Sequence, residues 1–188
     1  DFGNTGAAPV IFSQAADTDL IYAVSSASSP LSQGIIVPAD SPIQRIEDLK
    51  GKTVALAKGS ISVALTVAAL ESVGLAWEDV EPAFLLPADA KAAFNGGSVD
   101  AWTIWAPYYA LEEGESSART IATNGSVGFP NRGFYLADRR FATENADALA
   151  VIIAALREAE TWVDGHIDGV VASLATERGL APEVLRVV

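Results

Sequence analysis

The stretch from Lys52 to Gly74, KTVALAKGSISVALTVAALESVG, narrows the possible folds more than any other part of the chain. Thr53 to Ala57 is a short apolar run with β-branched members, bounded by charge and glycine, and reads as a strand. Lys58-Gly59-Ser60 is a turn. After it Ile61, Leu65, Ala68, Ala69 and Val73 recur at helical spacing. Ser60 suits the N-cap and Gly74 the position just past the last turn. The turn also has chemistry. A helix N-terminus presents free backbone N–H groups and a partial positive charge, so it is a ready anion site. Ser60 and Ser62 add hydroxyls, and Gly59 lets a ligand approach the backbone. On this stretch alone a plain β-α connection without a ligand is the favoured reading, since such turns are common in α/β folds.

The same pattern recurs along the chain. Asp1 to Gly3 reads as the end of a strand, Asn4-Thr5-Gly6 as a turn, and Pro9 sits in the first turn of a helix, where its missing N–H costs nothing. Further strands are expected at 20–24, 33–37, 81–86, 99–104, 120–123 and 133–137. Helices are expected at 87–95, from residue 105, at 145–163, at 167–176 and from Pro182. The long helix has Leu149, Ile152, Ile153, Leu156, Ala159 and Val163 as its buried stripe. Strands alternating with helices give an α/β fold. The connector at 40–51 and the loop at 124–131 with the strand after it are candidate crossings between two lobes. Trp102, Trp105, Tyr108 and Tyr109 form the densest aromatic cluster. Trp102 and Trp105 fall at the C-terminal end of a strand, where open α/β sheets place ligands; core packing is their other reading.

Composition closes several routes. The net charge is −12 and the basic residues are scattered, with Arg139-Arg140 the only pair. Nucleic acid, which needs a clustered basic face, is excluded as a partner. An overall negative field repels small anions, so an anion site here must act through local dipoles. There is no cysteine, which removes disulfides, thiolate catalysis and cysteine metal sites. No phosphate-binding glycine loop, dinucleotide fingerprint, serine-hydrolase elbow or zinc-binding His-Glu-x-x-His motif is present, and no cofactor is expected. His166, the only histidine, has no carboxylate pattern around it and reads as structural, as do Asp89 and Asp100. No apolar run approaches the ~20 residues that span a bilayer. A chain that starts at Asp1 without methionine is expected to be a processed or trimmed piece of a longer protein.

Several segments together resemble one family. They are Asp1-Phe-Gly-Asn-Thr-Gly-Ala-Ala-Pro, Ile36-Val-Pro-Ala-Asp-Ser-Pro-Ile, Glu47-Asp-Leu-Lys-Gly-Lys-Thr-Val-Ala, Lys58-Gly-Ser and Leu86-Pro-Ala-Asp-Ala-Lys-Ala-Ala-Phe. Gly97-Ser-Val-Asp-Ala-Trp-Thr-Ile-Trp-Ala-Pro-Tyr and Gly133-Phe-Tyr-Leu-Ala-Asp-Arg continue the series. In this order and spacing the chain is similar to the substrate-binding proteins of bacterial ABC importers for aliphatic sulfonates, taurine and nitrate, and the sulfonate branch most of all. The resemblance implies a two-lobed, type II periplasmic-binding-protein (Venus flytrap) fold. Residues 1–40 would be the later part of an incomplete lobe one and 41–130 lobe two with the crossing segments. Residues 131–188 would be a return strand and C-terminal helices that pack on lobe one. It implies a periplasmic or otherwise extracytoplasmic protein, with a lipid anchor through a missing N-terminus as one option. Its partners would be a small anionic ligand and ABC permease subunits, with no insertion of this segment into the membrane.

Carried over residue by residue, the resemblance implies ligand contacts from Asn4, Thr5, Gly6 and Ala7 in lobe one. In lobe two it implies Gly59, Ser60 and Ser62, with Trp102 and Trp105 walling an apolar tail. The family often has Tyr-Thr-Gly-Asp where this chain has Asn4-Thr-Gly-Ala7, and Trp-Asp-Pro where it has Trp105-Ala-Pro107. Losing two carboxylate acceptors disfavours an amine-bearing ligand such as taurine and favours a simple alkyl or aryl sulfonate. Two alternatives share the fold: an enzyme resembling thiamine-pyrimidine synthases, and the sensing domain of a membrane receptor. The enzyme reading is set back by the lack of cysteine and the isolation of His166.

Overall fold

A computed structural model describes residues 1–115, 117–178 and 180–186, with only the backbone of Arg178. The strands are β1 (Phe2–Gly6), β2 (Leu20–Ser25), β3 (Gln33–Pro38), β4 (Thr53–Leu56), β5 (Glu81–Phe84), β6 (Ala101–Trp105), β7 (Ala118–Thr123) and β8 (Gly133–Asp138). The helices are α1 (Ala7–Ala15), α2 (Ile61–Ser72), α3 (Pro87–Asn95), α4 (Tyr108–Gly114), α5 (Arg139–Glu144), α6 (Ala146–Gly165), α7 (Ile167–Arg178) and α8 (Pro182–Arg186). The chain divides into two units, one of Asp1–Ser28 with Arg132–Arg186, the other of Ser29–Asn131.

The second unit is built on a five-stranded mixed sheet in the order β5-β4-β6-β3-β7. β4 runs parallel to β5 and β6, as strands joined by helical crossovers do. β3 lies antiparallel between β6 and β7. Helices cover both faces, which is why β4 reads as a continuous apolar run: Val54, Ala55 and Leu56 are all fully buried. One face packs Ile35, Val37, Val54, Leu56 and Ala101 against Leu65, Ala69 and Leu70 of α2. Each such fully buried leucine contributes roughly 2 kcal/mol of transfer free energy. On the other face Trp102 meets Phe94 of α3 at 6.0 Å between ring centroids. There Gly34 leaves room for Tyr109, since a Cβ at Gly34 would lie 3.2 Å from the ring.

β3 belongs to this second unit and not with the residues before it, because its ladder partners are β6 and β7. The passage between units therefore falls at Ser28/Ser29 and Asn131/Arg132, not at residue 40. The connector at 40–51 is part of the second unit. Ile43 and Leu49 are buried in its core, and Arg119 Nη2 donates to the carbonyls of Ser41 (3.0 Å) and Ile43 (2.8 Å).

The first unit has a three-stranded antiparallel sheet in the order β1-β8-β2. Asn4, Thr5 and Gly6 are strand residues rather than a turn: they pair with Tyr135, Phe134 and Gly133. The chain thus passes from ladder to helix at Gly6/Ala7 with no intervening loop. Of the expected stripe of α6, Leu149, Ile152, Ile153 and Leu156 are half-buried, while Ala159 and Val163 are exposed. Its main neighbours among the described elements are α5 and α7. Among the described residues no helix is long and apolar enough to cross a membrane.

Candidate functional site

At the end of β4 the chain turns through Ala57-Lys58-Gly59-Ser60 into α2. Gly59 has φ +69°, a backbone conformation that glycine adopts without strain. Ser60 is the N-cap: its Oγ accepts from the Ser62 N–H at 3.2 Å and donates to the Ala57 carbonyl at 2.7 Å. The Val63 N–H is taken by the Ser60 carbonyl at 3.2 Å. Among the described residues no hydrogen bond uses the Ile61 N–H, so it is the donor left at the mouth of the helix. Lys58 and Gly59 are exposed beside it. The Ser60 hydroxyl and the Ser60 N–H both donate to the Ala57 carbonyl, at 2.7 and 3.2 Å, so Ser60 shapes the turn and the Ile61 N–H is what the mouth offers.

The buried face of α2 differs from the apolar stripe expected. It consists of Ser62, Leu65, Thr66, Ala69 and Leu70, two of them polar. Thr66 Oγ1 donates to the Ser62 carbonyl at 2.9 Å and meets Thr103 Oγ1 of β6 at 2.9 Å. Ser62 is fully buried and its Oγ has no partner among the described residues.

Trp102 and Trp105 are three residues apart on β6, so they project to opposite faces. Trp102 is completely buried between Phe94 and Tyr108, with its Nε1 unpartnered. In this arrangement it is core, and only Trp105, half-buried at the strand end, offers a surface. Tyr108 joins the pair, with its ring 6.2 Å from both indoles. Nearby on the same unit Lys91 Nζ meets the buried Glu112 carboxylate at 2.7 Å. That hydrogen bond, with the attraction of the carboxylate, holds the Lys91 pKa above its ordinary value. Ser117 Oγ adds a bond to Glu112 at 3.1 Å, so the charge of this buried carboxylate is paired and hydrogen-bonded.

In the first unit Asn4 is exposed, Thr5, Gly6 and Ala7 are half-buried, and Gly6 caps α1 without a side-chain hydrogen bond. Asp100 is structural: its Oδ2 accepts from the Thr53 N–H at 2.8 Å. Asp89 lies exposed in the first turn of α3. His166 stacks on Trp162 at 4.4 Å, with Nδ1 2.7 Å from the Trp162 carbonyl. Among the described residues no group of three or more His, Cys, Asp or Glu could hold a metal.

Two residues that the sequence reading placed only as the starts of a strand and a loop, with no site role, stand at this end of the sheet. Gln33 opens β3 opposite Trp105, is 1% exposed, and leaves its Oε1 without a partner. Asn124 is fully buried and anchors it: Oδ1 accepts from the Gln33 N–H at 3.1 Å, while Nδ2 donates to the Ser29 carbonyl. A buried polar residue next to a predicted strand end was the one signal that could have drawn attention to them.

Residues 1–166 match the family described as NMT1/THI5 like. A protein of Escherichia coli (strain K12) named as an aliphatic sulfonates-binding protein is 38% identical over 185 residues, which are 98% of this chain and 58% of that one. One of Bacillus subtilis (strain 168) with the same name is 37% identical over 168 residues, 89% of this chain and 51% of its own. The chain therefore spans little more than half the length of these relatives. Among solved structures, the periplasmic aliphatic sulphonate binding protein SsuA from Escherichia coli superposes with a TM-score of 0.88 at 38% identity, over 99% of this chain and 64% of that one. The alkanesulfonate-binding protein SsuA from Xanthomonas axonopodis pv. citri, bound to MOPS, gives 0.89 at 37% identity, over 99% and 64%. The α/β fold is thus that of periplasmic binding proteins, part of which lies outside these residues. The desulfurization enzyme DSZB shares the fold alone, at 16% identity and a TM-score of 0.72.

Proposed function

The chain belongs to the NMT1/THI5-like family, and from that premise we propose that it serves an extracytoplasmic solute-binding protein. In this reading the protein captures a small organic sulfonate between two lobes and delivers it to the permease of an ABC importer. The observation that carries the reading is the 38% identity over 185 residues to a protein named for binding aliphatic sulfonates. The mouth of α2 supports the anionic end: a free Ile61 N–H, an exposed Gly59 and the dipole of a 12-residue helix favour an oxyanion. We assign ligand contacts to Gly59, Ser60, Ser62 and Trp105, with Trp102 backing the wall, and to Asn4, Thr5, Gly6 and Ala7 in the other unit. No covalent chemistry is involved; closure of the lobes on the ligand is the functional step. The named relatives are binding proteins rather than enzymes, and these 188 residues supply no cysteine for thiolate catalysis. The periplasm, with or without a lipid anchor, is the compartment this role requires.

Ala7 and Ala106, which stand where the family often has aspartates, remove acceptors for an ammonium group. The ligand class is accordingly an alkyl or aryl sulfonate rather than taurine. Calorimetric titration of the full-length protein with octanesulfonate, benzenesulfonate, taurine and nitrate tests both levels. Saturable binding of the first two, tighter than that of taurine, is expected. Failure of every sulfonate to bind overturns the reading; taurine outcompeting the alkanesulfonate overturns only the ligand class.

A further inference from the structure

Four buried side-chain polar atoms lack a hydrogen-bond partner among the described residues: Gln33 Oε1, Ser62 Oγ, Trp102 Nε1 and Thr120 Oγ1. Folded proteins carry few such atoms, and those that persist call for a ligand, a water or a function. The first two converge. The Thr66–Thr103 hydroxyl contact, at 2.9 Å, fixes α2 over β6 at one point. Ser62 lies four residues, just over one helical turn, before Thr66, about 6 Å back along the helix. Trp105 lies two residues beyond Thr103 on the same face of β6, roughly 6.6 Å further along the strand. As the crossover from β4, parallel to β6, α2 runs back against the strand direction, so these two displacements point the same way. Ser62 therefore stands over the position of Trp105. The Cα partner of Trp105 across the ladder is Gln33, and directly opposed residues share a face. Ser62 from above and Gln33 from beside thus approach one place, under the first turn of α2. The backbone of Gln33 cannot shift to relieve its side chain, because its N–H is held by the buried Asn124 Oδ1 at 3.1 Å.

We propose that Gln33 and Ser62 are the pair that selects the ligand's head group. Ser62 donates its hydroxyl proton. The carboxamide of Gln33, turned by half a rotation about its terminal bond, donates N–H where its oxygen now stands. With the Ile61 N–H this makes three donors around one point. A tetrahedral sulfonate has three oxygens to receive them; a planar carboxylate has two. The pair thereby makes the site prefer sulfonates over carboxylates of the same tail. This inference rests on the sulfonate-binding reading above.

The test is calorimetry on the full-length protein with octanesulfonate and octanoate. The wild type is expected to favour the sulfonate. Gln33→Leu, close in volume and without donors, is expected to raise the sulfonate Kd by about tenfold, as loss of one bond to a charged group does. The octanoate Kd should change by less than about threefold on the same reasoning, so that the selectivity ratio collapses. Ser62→Ala is expected to lower the ratio in the same direction. Gln33→Glu, which places a second negative charge at the point, is expected to abolish sulfonate binding. Thermal melts report folding, and Gln33→Leu should melt no lower than wild type, since it removes an unpartnered buried oxygen. If the wild type binds sulfonate and the Gln33→Leu and Ser62→Ala ratios stay within twofold of it, the pair is structural and the inference falls alone. If the wild type binds no sulfonate, the functional reading falls and takes the inference with it.

Discussion

The contact between Thr66 and Thr103 fixes where α2 rests on β6, and a double-mutant cycle measures it. Both residues are fully buried. The Thr66 proton goes to the Ser62 carbonyl at 2.9 Å, so the Thr103 hydroxyl is the donor across the 2.9 Å gap between the two side chains. Thr103→Val removes that one neutral bond and leaves Thr66 satisfied, a cost of about 1 kcal/mol. Thr66→Val strands the Thr103 hydroxyl in an apolar core, a cost of about 1–3 kcal/mol. The double variant replaces both partners by groups of the same shape, which is close to neutral. The coupling energy is accordingly about 2–4 kcal/mol in magnitude, well above the ~0.5 kcal/mol scatter of independent sites. Urea unfolding of the wild type and three variants, at constant m-value, reads it directly. Additive single effects, with coupling inside that scatter, would refute the contact. They would also undo the placement of Ser62 over Trp105, which is counted from it.

Three further outcomes follow from the same unit. Ser60→Ala loses the N-cap of α2 and should cost about 1 kcal/mol in unfolding free energy, whereas Ser60→Gly should cost only a few tenths; equal stability of all three proteins would show that the cap bond is not formed. Gly34→Ala places a Cβ 3.2 Å from the Tyr109 ring. That ring is held by a hydrogen bond from its hydroxyl to the Leu31 carbonyl and is nearly fully buried, so overpacking should cost roughly 1–3 kcal/mol, read as a lowered Tm. Asp48 and Asp79 are held below the ordinary carboxylate value of 3.8, first by the backbone N–H groups of Gln44 and Ala76 respectively. A depressed folded-state pKa means stabilisation that is complete above 3.8 and lost as the pH falls through the lowered value. Asp79→Asn should flatten that acid-side loss of stability, and an unchanged acid profile would count against the hydrogen bond to Ala76.

Local pattern by itself determined much of this protein. The run from Lys52 to Gly74 specified strand, turn and helix. Ser60 and Gly74 marked the ends of that helix because an oxygen-bearing side chain and a residue free to take positive φ are what those positions require. The order and spacing of its motifs, compared with a family, pointed to the binding-protein fold. Tertiary structure decided what local pattern could not carry. Whether β3 pairs backward or forward depends on partners about 70–90 residues away in the chain, so its unit could not be read from residues 33–38. Asn4-Thr5-Gly6 has turn chemistry, yet the ladder with β8 holds it as strand. Trp102 and Trp105 look alike in sequence, but pleating and α3 bury one and leave the other half-open. Most of all, Ser62 and Gln33 are 29 positions apart in the chain and unremarkable singly. Only the contact of α2 with β6 at Thr66–Thr103 and the antiparallel pairing of Gln33 with Trp105 set where these two buried, unpartnered atoms lie, and it is on those two contacts that the proposed pairing rests.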